Sequence, residues 1–136
     1  MRVLRYILCL VVLLALGSCE RDYDNQELMS QVRFVLELPD SDGDGVADTC
    51  ESAISMESSY ISEYNTRENY IFGVFRNNTS SVRLRKGIYT LMLDATIYFE
   101  DGTIKAARNT EYAQPNTALK ILNDKEEVRL KMTYLY

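Results

Sequence analysis

A run of acidic residues from position 40 to position 51 has the residue types and spacing of a calcium-binding loop. Its sequence, DSDGDGVADTCE, matches the template D-x-[DN]-x-[DN]-G-x₅-E at every specified position. Ca²⁺ takes six to eight oxygen ligands, and alternate side chains of a tight loop can supply them. We therefore predict a structural Ca²⁺ site with its sharp turn at a glycine, Gly45. The predicted ligands are the side chains of Asp40, Asp42, Asp44, Asp48 and Glu51 and the backbone carbonyl of Val46.

A solvated acidic turn is the alternative interpretation of this run, because Asp and Gly are favoured in turns for local reasons. Without a cation, however, so many neighbouring carboxylates repel one another. Pro39 and a predicted strand come directly before the loop, so it does not belong to a helix-loop-helix unit. The loop is similar to those of thrombospondin type 3 repeats, which bind calcium outside that setting. A cation would order the loop and would not activate water.

Composition favours one small domain that is not an enzyme. The chain has 136 residues, a formal net charge of −5 and no histidine. The lack of histidine removes the commonest general base, the usual nucleophile triads and the usual zinc sites. The acidic balance argues against a nucleic-acid partner, because such proteins neutralise phosphates with Lys and Arg.

The first 18 residues have the features of an export signal. Arg2 and Arg5 precede an apolar stretch over residues 6–16, which is too short to span a bilayer. The stretch ends in Leu-Gly-Ser-Cys, which resembles the lipobox of bacterial lipoproteins. The resemblance implies cleavage before Cys19, a lipid anchor on that residue, and a membrane as the partner of the anchor.

Residues 19–30 are predicted to form a flexible acidic tether. Their composition is polar and unpatterned. The stretch also resembles the one that follows the lipidated cysteine in surface lipoproteins of Bacteroides-type bacteria. It implies an outer-membrane protein at the cell surface, with the periplasmic face as the open alternative. Cys50 would then have no partner, and we expect a small, partly buried residue there.

From residue 31 onward the pattern is that of strands. Alternation of apolar and polar residues, together with turn residues between the runs, predicts strands at 31–38, 69–76, 82–85, 88–99, 103–108, 117–122 and 126–136. An Asp-Gly pair at residues 101–102 predicts a hairpin. Residues 52–64 fit either a helix or, as we favour, a strand with a loop. The expected fold is all-β: a single antiparallel β-sandwich, Ig-like or transthyretin-like, of about seven strands over residues 31–136.

Short motifs in these strands resemble a known family. VRFVLEL, NYIFGVF and a G-x-Y-T-L passage at Gly87–Leu91 are similar to segments of the N-terminal β-sandwich domains of fimbrillins and fimbrial anchor lipoproteins. The resemblance implies a lipid-anchored adhesion or surface-assembly module without enzymatic activity. It also implies that residues 126–136 are an exchangeable edge strand; the alternative is an ordinary strand of the chain's own fold.

A second function class is a glycan- or solute-binding lipoprotein accessory to an outer-membrane uptake system. Tyr60, Tyr64 and Tyr70 are candidates for an aromatic glycan platform, although tyrosines also fill sandwich cores. The cluster of Arg83, Arg85 and Lys86 fits either a solvated strand face or an anion site.

Overall fold

Residues 28–135 are described by a computed structural model of the chain. The predicted signal peptide, Cys19 and most of the predicted tether lie outside the described residues. The first strand starts at Met29, inside the stretch predicted as tether. Among the described residues, no helix has the length and apolar character needed to cross a membrane.

The described part of the chain consists of strands and a short 3₁₀ helix at Pro115–Thr117, so the predicted all-β class is confirmed. The strands are β1 (Met29–Glu37), β2 (Ser52–Ser55), β3 (Tyr60–Glu63), β4 (Asn69–Tyr70), β5 (Phe75–Arg76), β6 (Thr79–Arg85), β7 (Gly87–Tyr98), β8 (Ile104–Asn109), β9 (Leu119–Ile121), β10 (Lys125–Lys131) and β11 (Thr133–Tyr134). Two predicted runs are each divided between two strands, and residues 52–64 contribute two more, so the described residues form eleven strands where about seven were expected.

All the strands join one open sheet, and this sheet is mixed. Its main path runs β10-β1-β6-β5-β2-β7-β3-β4; β8 and β9 also pair with β7, and β11 pairs with β8. The pairs are antiparallel except β1 with β10, which is parallel. The prediction of a purely antiparallel arrangement is wrong at this pair. The backbone N–H of Gln31 donates to the carbonyl of Asp124 (2.8 Å), so the turn before β10 lies at the start of β1.

The expected continuous strand over residues 69–76 is wrong. Residues 71–74 have no regular structure and separate β4 from β5. Here the chain leaves its partner β3 and joins β2 and β6. The ring of Phe72 turns into the core, 5.2 Å from that of Phe34, while Ile71 is 85% exposed. Phe72 and Phe75 are both buried although they are three residues apart, so the segment does not follow the two-residue alternation of a strand.

The last predicted strand is also interrupted, at Met132. Residues before it pair with β1 and residues after it pair with β8. The segment therefore joins two strands of its own sheet.

Strand β7 pairs with four other strands and contributes much of the core. Its first half pairs with β3 and β9, and its second half pairs with β2 and β8. Alternate residues from Tyr89 to Ile97 are fully buried, which confirms the apolar face predicted for this strand. The Asp-Gly hairpin that joins it to β8 is also confirmed; Gly102 has a φ of +88°.

A bulge at residues 56–59 separates β2 from β3, so the interpretation of residues 52–64 as strand and loop is confirmed. The buried carboxylate of Asp94 holds this bulge in place. It accepts a hydrogen bond from the hydroxyl of Ser58 (2.7 Å), while Ser59 bonds the backbone of the same residue. Arg108 donates to both carboxylate oxygens, at 2.5 and 3.1 Å. Its hydrogen bonds and charge lower the pKa of Asp94 below the usual value.

This ion pair, in which the carboxylate is buried and the arginine is exposed, makes stability depend on pH in acid. A carboxyl group with a lowered folded-state pKa stabilises the fold above its unfolded pKa of about 3.9, and this contribution is lost as pH falls further. We expect Asp94→Asn to reduce the free energy of unfolding at pH 7 by about 1–3 kcal/mol and to flatten its decline below about pH 4. Urea unfolding across this pH range measures both effects. Glu111→Gln, at an exposed position, should behave as the wild type. An equal effect of both variants would contradict the stabilising role of the Asp94–Arg108 pair.

Candidate metal-binding site

The acidic loop after β1 is folded into tight turns by its own side chains. The carboxylate of Asp40 accepts hydrogen bonds from the backbone N–H groups of Gly43 (2.9 Å) and Gly45 (2.8 Å). Both glycines have a positive φ, +73° and +82°, which non-glycine residues rarely adopt. Gly45 therefore lies in the kind of turn that the template requires. These turns bring the first half of the loop back onto itself.

Three of the predicted ligands come together in this loop. Carboxylate oxygens of Asp40, Asp42 and Asp48 lie within 4.8 Å of one another. Calcium binds oxygens at about 2.3–2.6 Å, so two ligands on opposite sides of the ion are about 5 Å apart. One oxygen from each of the three residues can therefore contact a single ion.

The remaining predicted ligands have other local roles. Asp44 and Glu51 do not belong to this group of acids. The carboxylate of Asp44 accepts the N–H of Val46 (2.8 Å). The backbone N–H of Glu51 donates to the carbonyl of Tyr98 (2.9 Å), which fixes this residue at the start of β2. In a helical hand a helix returns the last acid to the ion, whereas here an extended chain leads away from the loop.

The two exposed acids of the group interact with each other. A side-chain hydrogen bond between Asp40 and Asp42 lowers the pKa of Asp40, and the backbone N–H of Gly45 adds to the effect. The same bond raises the pKa of Asp42. Such opposite shifts are expected of two close carboxylates, because a proton between them relieves their repulsion. A cation in this position would relieve it in the same way.

Asp48 connects the loop to the C-terminal strand. Its carboxylate accepts hydrogen bonds from the hydroxyl groups of Ser41 (2.5 Å) and Tyr134 (2.8 Å). Partial burial acts to raise the pKa of Asp48, but these bonds outweigh it and the pKa is lowered. Burial first, and then the bond to Asp48, raise the pKa of Tyr134. The contact with Tyr134 depends on tertiary structure and has no signal in the sequence, whereas the contact with Ser41 lies within the loop itself.

Asn78 fixes the C-terminal part of the acidic loop, around Asp48 and Cys50. Its side-chain amide donates to the carbonyl of Asp48 (3.1 Å) and accepts the N–H of Cys50 (2.8 Å). Its backbone carbonyl accepts the N–H of Leu36 (2.8 Å). Asn78 has a φ of +67°, a conformation that asparagine adopts more easily than most residues. One turn residue thus ties the acidic loop to the end of β1. Cys50 itself is free and almost fully buried.

A cleft of about 490 Å³ lies between the acidic loop and the β7–β8 turn, and its walls carry more acids than bases. Lys105 lines it, with its ammonium group 4.6 Å from the ring centre of Tyr134 and 5.8 Å from that of Phe99. The acids and aromatic rings of this cleft suit a cation, so the chemistry that the cleft supports is cation binding.

The three tyrosines proposed for a glycan platform do not lie together. Tyr60 and Tyr64 occupy alternate positions along β3 and its continuation, and both reach the surface. Tyr70 packs into the core instead, with its ring 6.0 Å from that of Tyr89. A platform of all three residues is therefore not formed.

Comparison with protein-family models, with curated proteins and with solved structures found no match for the chain.

Replacement of Asn78 by glycine removes the anchor of the loop while preserving the turn. Because glycine adopts a positive φ freely, Asn78→Gly should lower the free energy of unfolding by about 1–3 kcal/mol through the lost hydrogen bonds alone. Asn77→Gly is the matched control, since this neighbour has a φ of +49°. Denaturant unfolding of the two variants measures the difference. Equal stability of both would show that the side chain of Asn78 does not hold the loop.

Proposed function

We propose that this chain is a lipid-anchored surface module without enzymatic activity, and that its acidic loop binds Ca²⁺ for structural purposes. The observation that carries the calcium proposal is the convergence of Asp40, Asp42 and Asp48 around one point of the loop. Backbone carbonyls such as that of Val46 and water molecules would complete the coordination of the ion.

The role of the ion follows from the contacts of the loop. Asp48 bonds Tyr134 of the C-terminal strand, and Asn78 ties the residues around Asp48 to β1. A cation that neutralises the three carboxylates therefore stabilises the connection between the loop and two strands. It would strengthen the fold near these strands without exposing a new surface.

The surface role rests on the sequence of the N-terminal segment and on the likeness to fimbrial lipoprotein domains. We further propose that the sheet folds into the two layers of a sandwich. Apolar side chains of β1, β7 and β10 form one buried cluster, and no helix among residues 28–135 is long enough to cover it. Another part of the same sheet is then the natural cover for this cluster.

Calcium should stabilise the folded chain. Extracellular calcium modules bind with dissociation constants of about 10⁻⁴–10⁻³ M. At 10 mM Ca²⁺ such an affinity corresponds to about 1–3 kcal/mol of added stability. For a domain of this size we expect the melting temperature to rise by roughly 5–15 °C. Thermal unfolding of the full chain with Ca²⁺ and with a chelator measures the shift.

The matched variants separate a metal site from general charge screening. Asp48→Asn should abolish the rise, because it removes a ligand charge and retains the shape of the side chain. Glu111→Gln, at an exposed acid outside the loop and its cleft, should leave it intact. The proposal is wrong if calcium titration releases no heat and does not change the melting temperature. It is also wrong if Mg²⁺ and Na⁺ at equal ionic strength stabilise the chain as much as Ca²⁺ does.

The anchor is tested at Cys19. In cells given labelled palmitate the wild-type chain should carry the label and sediment with membranes, whereas Cys19→Ala should carry none. Cys50→Ala is the control and should retain the label. Label on the Cys19→Ala variant, or no label on the wild-type chain, would contradict lipidation at Cys19. Protease treatment of intact cells then distinguishes the cell surface from the periplasmic face.

A further inference from the structure

Three adjacent strands form a basic face on this acidic protein. Strands β10, β1 and β6 lie side by side, and their outward residues share rows, such as Lys125, Gln31 and Arg83. Residues 28–135 contain 12 basic and 16 acidic side chains. Half of the basic ones project from this face, against only two acids, Glu37 and Glu127. The basic residues are Arg33, Arg83, Arg85, Lys125, Arg129 and Lys131.

Most of these positive charges are not neutralised within the protein. Arg129 pairs weakly with Glu37 (3.5 Å) and with Glu127 (3.2 Å). For the other five, no carboxylate of the described residues lies within ion-pair distance. All five are exposed. Like charges held together on a flat sheet repel one another, so an anionic partner on this face would lower the free energy.

Exposed leucines lie at one end of the basic face. Leu28 is 49% exposed and Leu122 is 63% exposed. The carbonyl of Leu28 accepts the N–H of Lys86 (2.8 Å), and Lys86 pairs with Asp124 beside Leu122 (2.6 Å). Leu28 directly precedes β1, and Leu122 precedes the turn that leads into β10, so both leucines lie at the end of the face that carries Arg85 and Lys125. Residues 1–27 join the domain at this same end, whereas the acidic loop follows the far end of β1.

We propose that this basic, leucine-flanked surface docks on an anionic lipid bilayer. Arginine and lysine side chains would bind phosphate headgroups, and the two leucines would enter the interfacial region. The proposal builds on the lipid anchor proposed above. A lipid on Cys19 would hold Met29 within about 35 Å of the bilayer, since an extended residue spans at most about 3.5 Å. The anchor would thus keep the start of β1, with Arg83, Arg85 and Lys125, near the headgroups, and the acidic loop would be directed away from them.

A soluble acidic polysaccharide offers similar charges, but it would not use the leucines. The position of the leucines at the anchored end therefore favours the membrane. Each cation near an anionic surface strengthens binding about fivefold, and the attraction is screened by salt. Arg83 and Lys125 are the best positions for a test, because they flank Gln31 in one row and neither forms an ion pair with a described residue.

The experiment uses residues 19–136, the chain without its predicted signal peptide, with Cys19→Ala, so that binding depends neither on the apolar stretch 6–16 nor on an attached lipid. Cosedimentation is measured with vesicles of phosphatidylcholine alone and with vesicles containing about one third phosphatidylglycerol. We expect stronger binding to the anionic vesicles, and 0.5 M salt should remove the difference. Arg83→Gln/Lys125→Gln should weaken this binding about 25-fold. Leu28→Ala/Leu122→Ala should weaken it severalfold.

Arg67→Gln is the control for a single charge, since Arg67 is exposed in the β3–β4 turn outside the basic face. It should bind as the parent chain does, whereas Arg83→Gln alone should bind about fivefold more weakly. Equal binding by the face variant and the parent chain would overturn the proposal, as would equal losses in the face and control variants. Tighter binding to polygalacturonate than to vesicles of equal charge would assign the surface to a polysaccharide and overturn the membrane assignment. If Cys19 carries no label in cells but the chain still binds vesicles in a charge-dependent way, only the lipid anchor is refuted.

Discussion

Pairing of the C-terminal segment with two separate strands is the constraint on which the described fold depends. Residues 125–131 pair in parallel with β1, and residues 133–134 pair with β8. At the switch between them the N–H of Met132 donates to the carbonyl of Glu37 (2.9 Å), and the amide of Asn109 donates to the carbonyl of Lys131 (2.9 Å). Val128, Leu130 and Met132 are buried in the common core. The segment therefore supplies backbone pairing and apolar area to two regions of the sheet at once.

Local patterns were sufficient to predict the class of the fold and several of its elements. Alternation in β1 and β7 predicted strands with one buried face, and the Asp-Gly pair predicted the β7–β8 hairpin. Periodicity does not specify which strands pair, nor in which direction. The parallel alignment of β10 depends on the turn at Asp124 being held by Gln31, a contact between residues far apart in sequence. The interruption at residues 71–74 likewise depends on the place of Phe72 in the core.

The candidate site shows the same division between local and tertiary information. The spacing of Asp40, Asp42 and Asp48 was visible in the sequence, because a tight loop turns such side chains inward. The template also included Glu51, which assumes that a helix follows the loop. In this chain a strand follows, and its pairing with Tyr98 fixes the position of Glu51. The hydroxyl group of Tyr134 depends on the folding of the last strand against β8, so no local motif indicates it.

The C-terminal segment also determines where charge lies on the molecule. Its first part places cations beside those of β1 and β6, and its last part places Tyr134 against Asp48. The basic cluster of Arg83 and Arg85, which in the sequence is only a short charged run, becomes part of a broad face because β10 lies across β1 from it. Four of the six cations of this face lie in or beside the first half of β1, whereas the acidic loop follows the last residues of the strand, so charge is distributed unevenly along β1. The tether and membrane proposed above would then favour one orientation of the domain, because rotation would bring the acidic loop toward like charge.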